Sequence, residues 1–181
     1  TSVSSSGGWS PIDTARDPLP TNRIPGAGIV ECMTKWLTVT EQGYWRSWIS
    51  GTLLIQHHLG RDLQDETGLT LPDYEILVRL SEAPDRRIRM SELAELTLSS
   101  RSRLSHQIDR MHKAGLVDRQ ECVQDRRGFF AVLTDAGYDR LVAAAPKHVE
   151  SVRRRIVDVL TPEEFAELGR INQKLVDALE R

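Results

Sequence analysis

The chain has 181 residues, with 24 lysines and arginines against 26 aspartates and glutamates, a net charge of -2 and a pI near 6.2. With 39% hydrophobic and 28% charged residues it has the make-up of an ordinary soluble protein, one domain and a tail by length. No stretch approaches the roughly 20 apolar residues of a membrane span, the first residues lack the pattern of a secretion signal, and Cys32 and Cys122 form no CxxC pair or disulfide framework, so a cytoplasmic protein is expected.

Residues 1–36 are expected to form a flexible tail. Within them, residues 1–28 hold four of the eight prolines, Gly7, Gly8, Gly26, Gly28 and five serines, a composition that buries too little apolar surface to offset the entropy of ordering. Thr38-x-x-Glu41 is a capping box and predicts a helix start. Trp45, Trp48, Ile49, Thr52, Ile55, Leu59 and Leu63 then recur at steps of three and four, one stripe of a long helix over about 38–68. Leu53, Leu54 and His58 widen the stripe toward a second face, as packing on both the chain's own domain and another subunit requires.

Leu71 to Ala83 reads as a short helix with Tyr74, Leu77, Val78 and Leu80 inward, followed by a short extended link at Ile88–Met90. Ser91 is expected to cap one brief helix and Ser99 a second, which Gly115 closes; two short helices at a tight turn form a helix-turn-helix. Leu116–Cys122 and Phe129–Leu133 read as strands joined by the polar turn Gln124–Gly128, a hairpin wing. A further helix spans Thr134 to Leu160, with a kink expected at Pro146. Thr161-Pro162-Glu163-Glu164 combines a cap, a first-turn proline and acidic residues. The helix it opens carries Phe165, Leu168, Ile171, Leu175 and Leu179 on one face, and such a terminal stripe needs a partner. The expected fold is mainly α with a small β wing. Its winged helix-turn-helix core covers about 70–134, between N- and C-terminal dimerisation helices at about 38–68 and 135–181, all within one domain over 37–181.

Read at about 100° per residue, the segment from Ser99 to Lys113 turns Leu104, Ile108 and Met111 to one side and Ser99, Ser102, Arg103, His106, Asp109, Arg110 and Lys113 to the other, with Arg101, Ser105 and Gln107 flanking. A face of serine, arginine, histidine and lysine offers donors to phosphates and base edges, as a recognition helix requires. Residues 84–127 carry ten basic and seven acidic residues, so positive charge concentrates around this helix in an otherwise acidic chain. At the hairpin apex Arg126 and Arg127 are placed to enter a minor groove or clamp a phosphate, with Asp125 orienting one of them.

The run Gly115-Leu-Val-Asp-Arg119, then Asp125-Arg-Arg127, then Leu133-Thr-Asp-Ala-Gly137 resembles the signature of the MarR family of bacterial regulators, and the similarity extends from about Thr38 to Arg181. The resemblance implies an obligate homodimer whose two winged helices grip double-stranded DNA at a pseudo-palindromic operator, and repression relieved by small, often phenolic, effectors. It also implies that Ser102 and His106 reach base edges and that Arg127 is the wing arginine, although some relatives carry arginine where His106 stands. Two-fold symmetry alone sets paired recognition helices about 34 Å apart, so the operator is expected to be an inverted repeat.

No catalytic spacing, phosphate loop or HExxH motif occurs, so neither an enzyme nor a bound cofactor is expected. Adjacent His57 and His58 point about 100° apart on a helix, an awkward pair for one metal; a zinc site with His148 is the alternative to core or interface roles. Trp48, His57 and Tyr74 are the expected walls of an effector pocket where the long first helix, the Leu71 helix and the Pro146 helix meet; filling the core is their plainer role. Cys122 reads as a small strand hydrophobe. Two other functions remain open at this point: a winged-helix dimer used for protein contacts, and a redox regulator sensing through Cys32 beside Lys35.

Overall fold

A computed structural model describes residues 35–122 and 125–180, with the backbone alone at 125–127. Most of the expected tail, together with Cys32, lies outside the described residues. In chain order the elements are α1 (Val39–Thr67), α2 (Leu71–Glu82), a short 3-10 turn (Pro84–Arg86), β1 (Arg87–Arg89), α3 (Met90–Leu96), α4 (Arg101–Lys113), β2 (Val117–Cys122), β3 (Asp125–Leu133), α5 (Asp135–Val152), a π-helical turn (Arg153–Val157) and α6 (Pro162–Leu179). The fold is mostly helical with a small three-stranded antiparallel wing, a winged helix. Among the described residues no helix is long and apolar enough to cross a membrane.

The chain divides into two compact units, up to Ser50 and from Gly51 onward. In the first, the Thr38 box closes as expected: the Glu41 amide donates to Thr38 Oγ1 at 3.2 Å and the Thr38 amide to Glu41 Oε2 at 2.7 Å. These bonds hold the Glu41 carboxyl below its ordinary pKa. Trp45 and Trp48 lie with ring centroids 5.2 Å apart on its helix.

In the second unit, Leu63, Ile76, Leu77, Leu80, Leu93, Leu104, Ile108 and Val117 are at most 2% exposed and form the centre of one core. Helical spacing in the sequence selects Leu63, Leu77, Leu80, Leu104 and Ile108 among these, and Val117 joins them from β2. The sheet order is β1-β3-β2, with Ile88 opposite Ala131 and Val117 opposite Leu133. The segment read as a short extended link is therefore the third strand of the wing sheet. β3 begins at Asp125, so most of the expected Gln124–Gly128 turn is strand, with Asp125 paired to Cys122.

Two local expectations are corrected. Met90 opens α3 after Arg89 leaves β1 in extended backbone, and Arg89 makes no side-chain cap, so Ser91 falls inside the first turn. The cap of α4 is Ser100, whose hydroxyl accepts from the Arg103 amide at 3.3 Å. Ser99 is instead occupied closing α3, its amide donating to the Ala94 carbonyl at 2.9 Å. The α5 helix is continuous through Pro146, and its hydrogen bonding changes to the π pattern from Arg153. Pro146 is exposed, so water can take the carbonyl it leaves unpaired.

The π turn sits against a carboxylate on α1. Asp62 Oδ2 accepts from Ser151 Oγ at 2.6 Å, Arg154 Nη2 at 3.0 Å and Arg155 Nε at 2.9 Å, while Oδ1 accepts from Arg155 Nη2 at 2.8 Å. The Ser151 hydroxyl first, then Arg155, hold this carboxyl far below the usual carboxylate range. One acceptor thus anchors both the end of α5 and the elbow leading to α6. The Thr161 box that starts α6 is fully formed.

Candidate nucleic-acid interface

The α4 helix is split by side. Leu104 and Ile108 are fully buried and Met111 is 2% exposed, whereas Arg101, Ser102, Arg103, His106, Arg110 and Lys113 are exposed. The angular reading of the sequence is correct for these nine residues. Ser100 satisfies the Arg103 amide from its side chain, and no acidic residue stands in that first turn. Helix dipole, arginines and absence of acid all favour an anion at this end.

Two residues expected on or beside the outward face bond to a carboxylate of α2 behind the helix. Gln107 is 8% exposed and donates through Nε2 to Asp73 Oδ1 at 3.0 Å. Arg110 donates to the same oxygen at 2.6 Å, although 62% of its side chain remains exposed. Asp73 also occupies the third position of the α2 cap: Thr70 Oγ1 donates to Asp73 Oδ2 at 2.7 Å, and the Asp73 amide donates to Thr70 Oγ1 at 3.3 Å. This buried carboxylate ties the start of α2 to the back of α4, and so orients the outward side. Thr70-x-x-Asp73 was not expected as a box, and its second use by α4 leaves no local signal in the sequence.

On the other flank Arg119 of β2 replaces solvent as the partner of α4. Its Nη1 lies 3.0 Å from Asp109 Oδ1, and its Nη2 donates to both the carbonyl and the hydroxyl of Ser105 at 3.0 Å. Ser105 and Asp109 are therefore half-buried against the wing rather than facing outward. Arg89, Ser91, Arg101, Ser105, Arg119 and Phe129 line a cleft of about 370 Å³ between α4 and the sheet. Three guanidinium groups make it a cationic channel running from the recognition helix toward the wing, a surface suited to a phosphate backbone. The side chains of Arg126 and Arg127, expected at the wing tip, lie outside the described residues.

The three expected effector walls are spread over different settings. Trp48 is 44% exposed in the N-terminal unit, His57 is exposed beside His58, and Tyr74 is 9% exposed in the core. Tyr74 instead meets His148, with ring centroids 4.6 Å apart at the packing of α2 on α5. Among the described residues, no three metal-binding side chains converge. Cys122 is buried in β2, where Arg89 Nη2 donates to its sulfur at 3.0 Å.

Burial holds the His148 imidazole below its ordinary pKa of 6.5. The unfolded chain therefore takes the proton more readily, and this residue's contribution to stability is full above that value and is lost as pH falls through the depressed one. Thermal unfolding followed by circular dichroism from about pH 7 to about pH 5 is expected to show a falling Tm, and His148→Gln a flatter profile. Equal slopes in the two proteins would contradict the assignment.

Residues 67–128 match the family model described as MarR family. The transcriptional regulator HosA of Escherichia coli is 31% identical over 124 residues, 68% of this chain and 90% of that protein. Among solved structures, AbsC of Streptomyces coelicolor, a MarR family transcriptional regulator, is 50% identical with a TM-score of 0.75 over 81% of this chain and 99% of its own. Sco3205, a MarR family regulator of the same organism crystallised in complex with DNA, is 45% identical with a TM-score of 0.78 over 82% and 92% respectively.

Proposed function

The chain belongs to the MarR family of DNA-binding transcriptional regulators, and on that premise we propose that it is a homodimeric repressor that holds a pseudo-palindromic operator until a small, often phenolic, ligand releases it. The observation that carries this reading is the division of α4, with three apolar side chains anchored in the core and Arg101, Ser102, Arg103, His106 and Lys113 free to enter a major groove. The winged helix-turn-helix of about 70–134 is the part that reads DNA. Arg126 and Arg127 extend that contact to the wing, and Arg110 divides its charge between Asp73 and a phosphate.

Support for the homodimer comes from α6, where Phe165, Ile171, Leu175 and Val176 are each 42–44% exposed in the single chain. A stripe of that length on a soluble protein calls for a cover, and a second copy of the helices at about 38–68 and 135–181 supplies one of matching character. Release requires only unequal affinity: a ligand that favours the DNA-incompetent dimer by about 1.4 kcal/mol weakens operator binding tenfold. Trp48, His57 and Tyr74 are the residues whose substitution is to be tried first in a search for that ligand.

Gel shift on the DNA upstream of the protein's own coding sequence tests the reading. Two chains per duplex are expected, and Arg103→Ala should lower affinity about tenfold or more and make the logarithmic salt dependence shallower by about two, one phosphate or base contact being lost per subunit. Binding that is insensitive to both salt and Arg103 would refute it.

A further inference from the structure

Three helices end with a residue in left-handed backbone: Gly68 at φ +71° after α1, Leu98 at φ +48° after α3, and Gly115 at φ +74° after α4. The closures of α3 and α4 are built alike. After α4, the Gly115 amide donates to the His112 carbonyl and the Leu116 amide to the Met111 carbonyl; after α3, the Leu98 amide donates to Glu95 and the Ser99 amide to Ala94. This double bond pattern places its left-handed residue where glycine is the ordinary choice, because a Cβ crowds the adjacent carbonyl. The chain uses glycine at two of the three sites and leucine at the third.

Leu98 is out of place for a second reason. It is 96% exposed, the most exposed large hydrophobic among the described residues. No packing inside the chain offsets either its backbone conformation or its contact with water. A residue that breaks two local rules without internal compensation marks a functional position. Its location says which function. Leu98 stands two residues before the Ser100 cap of α4, and the five residues that follow, Ser99 to Arg103, are serine or arginine. That run of small and cationic side chains offers no apolar surface for a protein partner to share, and it is the end of the recognition helix that meets base edges.

We propose that Leu98 is a specificity-determining residue, its isobutyl group resting on a thymine C5-methyl group in each operator half-site. The inference rests on the DNA-binding reading above. Hydrogen-bonding residues of α4 do not distinguish thymine from cytosine by the methyl group; an apolar contact does. Two-fold symmetry repeats the contact, so its effect enters operator affinity twice.

The test uses full-length dimer and a duplex that the wild-type protein selects from a random pool. Thymines of that duplex are replaced pair by pair, at symmetric positions, with deoxyuridine, which lacks only the methyl group. Wild type is expected to lose about three- to tenfold in affinity at one symmetric pair. Leu98→Gly should bind the thymine duplex more weakly by a similar factor and lose nothing further at that pair. The same variant should melt a few degrees higher, since glycine relieves the left-handed conformation. Leu98→Ala, which keeps a Cβ, should show the binding loss without the gain in melting temperature. Identical deoxyuridine profiles in wild type and both variants would overturn the proposal while leaving DNA binding intact. A protein that selects no duplex, or one in which Arg103→Ala changes nothing, would overturn the DNA-binding reading and this inference with it.

Discussion

Gly137→Ala is expected to destabilise the protein by about 3 kcal/mol, enough to lower Tm by about 10 °C in a chain of this size. Gly137 lies in the first turn of α5, where its amide donates to Thr134 Oγ1 at 2.9 Å. The Thr134 hydroxyl in turn donates to the Gly115 carbonyl at 2.7 Å, and the Thr134 amide to the Leu116 carbonyl at 3.2 Å. These bonds pull the start of α5 onto the turn that leaves α4. A Cβ at 137 would run into the Leu116 carbonyl oxygen and come within 2.8 Å of Leu133 Cδ1. Backbone cannot rotate away as a long side chain can, so the helix must lift and release the Thr134 bonds. Gly115→Ala supplies the comparison: a Cβ there meets nothing within 4 Å, so only its φ of +74° opposes the change, and about 1 kcal/mol is expected. Thermal melts of the two variants should rank Gly137→Ala as clearly the worse. Equal losses would mean that the close approach to Leu116 relaxes freely.

Asp73→Ala is expected to act on stability and on operator binding together. Removing this carboxylate leaves Gln107 Nε2, a buried donor, and the Thr70 hydroxyl without their acceptor and Arg110 without its counter-charge, while the α2 cap itself, the Asp73 amide on Thr70 Oγ1, is kept. The stranded buried donor costs about 1 to 3 kcal/mol. The Arg110 pair adds little to that figure, because most of its side chain is in solvent. The effect on DNA is indirect: Asp73 bonds to the back of α4, and its loss lets the outward side of the helix rotate relative to the core. Operator affinity should fall about tenfold while the salt slope stays near that of wild type, since no phosphate contact is lost. Arg110→Ala separates the two roles of that arginine. If Arg110 also contacts phosphate, its loss should make the salt slope shallower, whereas Asp73→Ala does not. Unaltered affinity in an Asp73→Ala protein that remains folded would show that α4 is held in place without this network.

The sequence by itself determined whatever follows from neighbours three or four residues apart. The Thr38 and Thr161 boxes and the buried row Leu104-Ile108-Met111 were all legible, because helical periodicity places them with no knowledge of the rest of the chain. The three motifs that carry the family resemblance were legible as well, though not the reason for Gly137, which lies in a carbonyl 21 positions earlier. Only the tertiary structure decided which polar residues of α4 face solvent and which are claimed from behind. Gln107 and Arg110 turn to a carboxylate more than thirty residues away, and Ser105 and Asp109 turn to Arg119 on the wing. Ser100 and not Ser99 caps α4 for the same kind of reason: the close of α3 holds Ser99, its amide on the Ala94 carbonyl and its hydroxyl on the Thr97 carbonyl. A polar side chain has many acceptors within reach in any local pattern. Which one it takes is a competition settled by packing between elements distant in sequence, and no periodicity along one helix records that outcome.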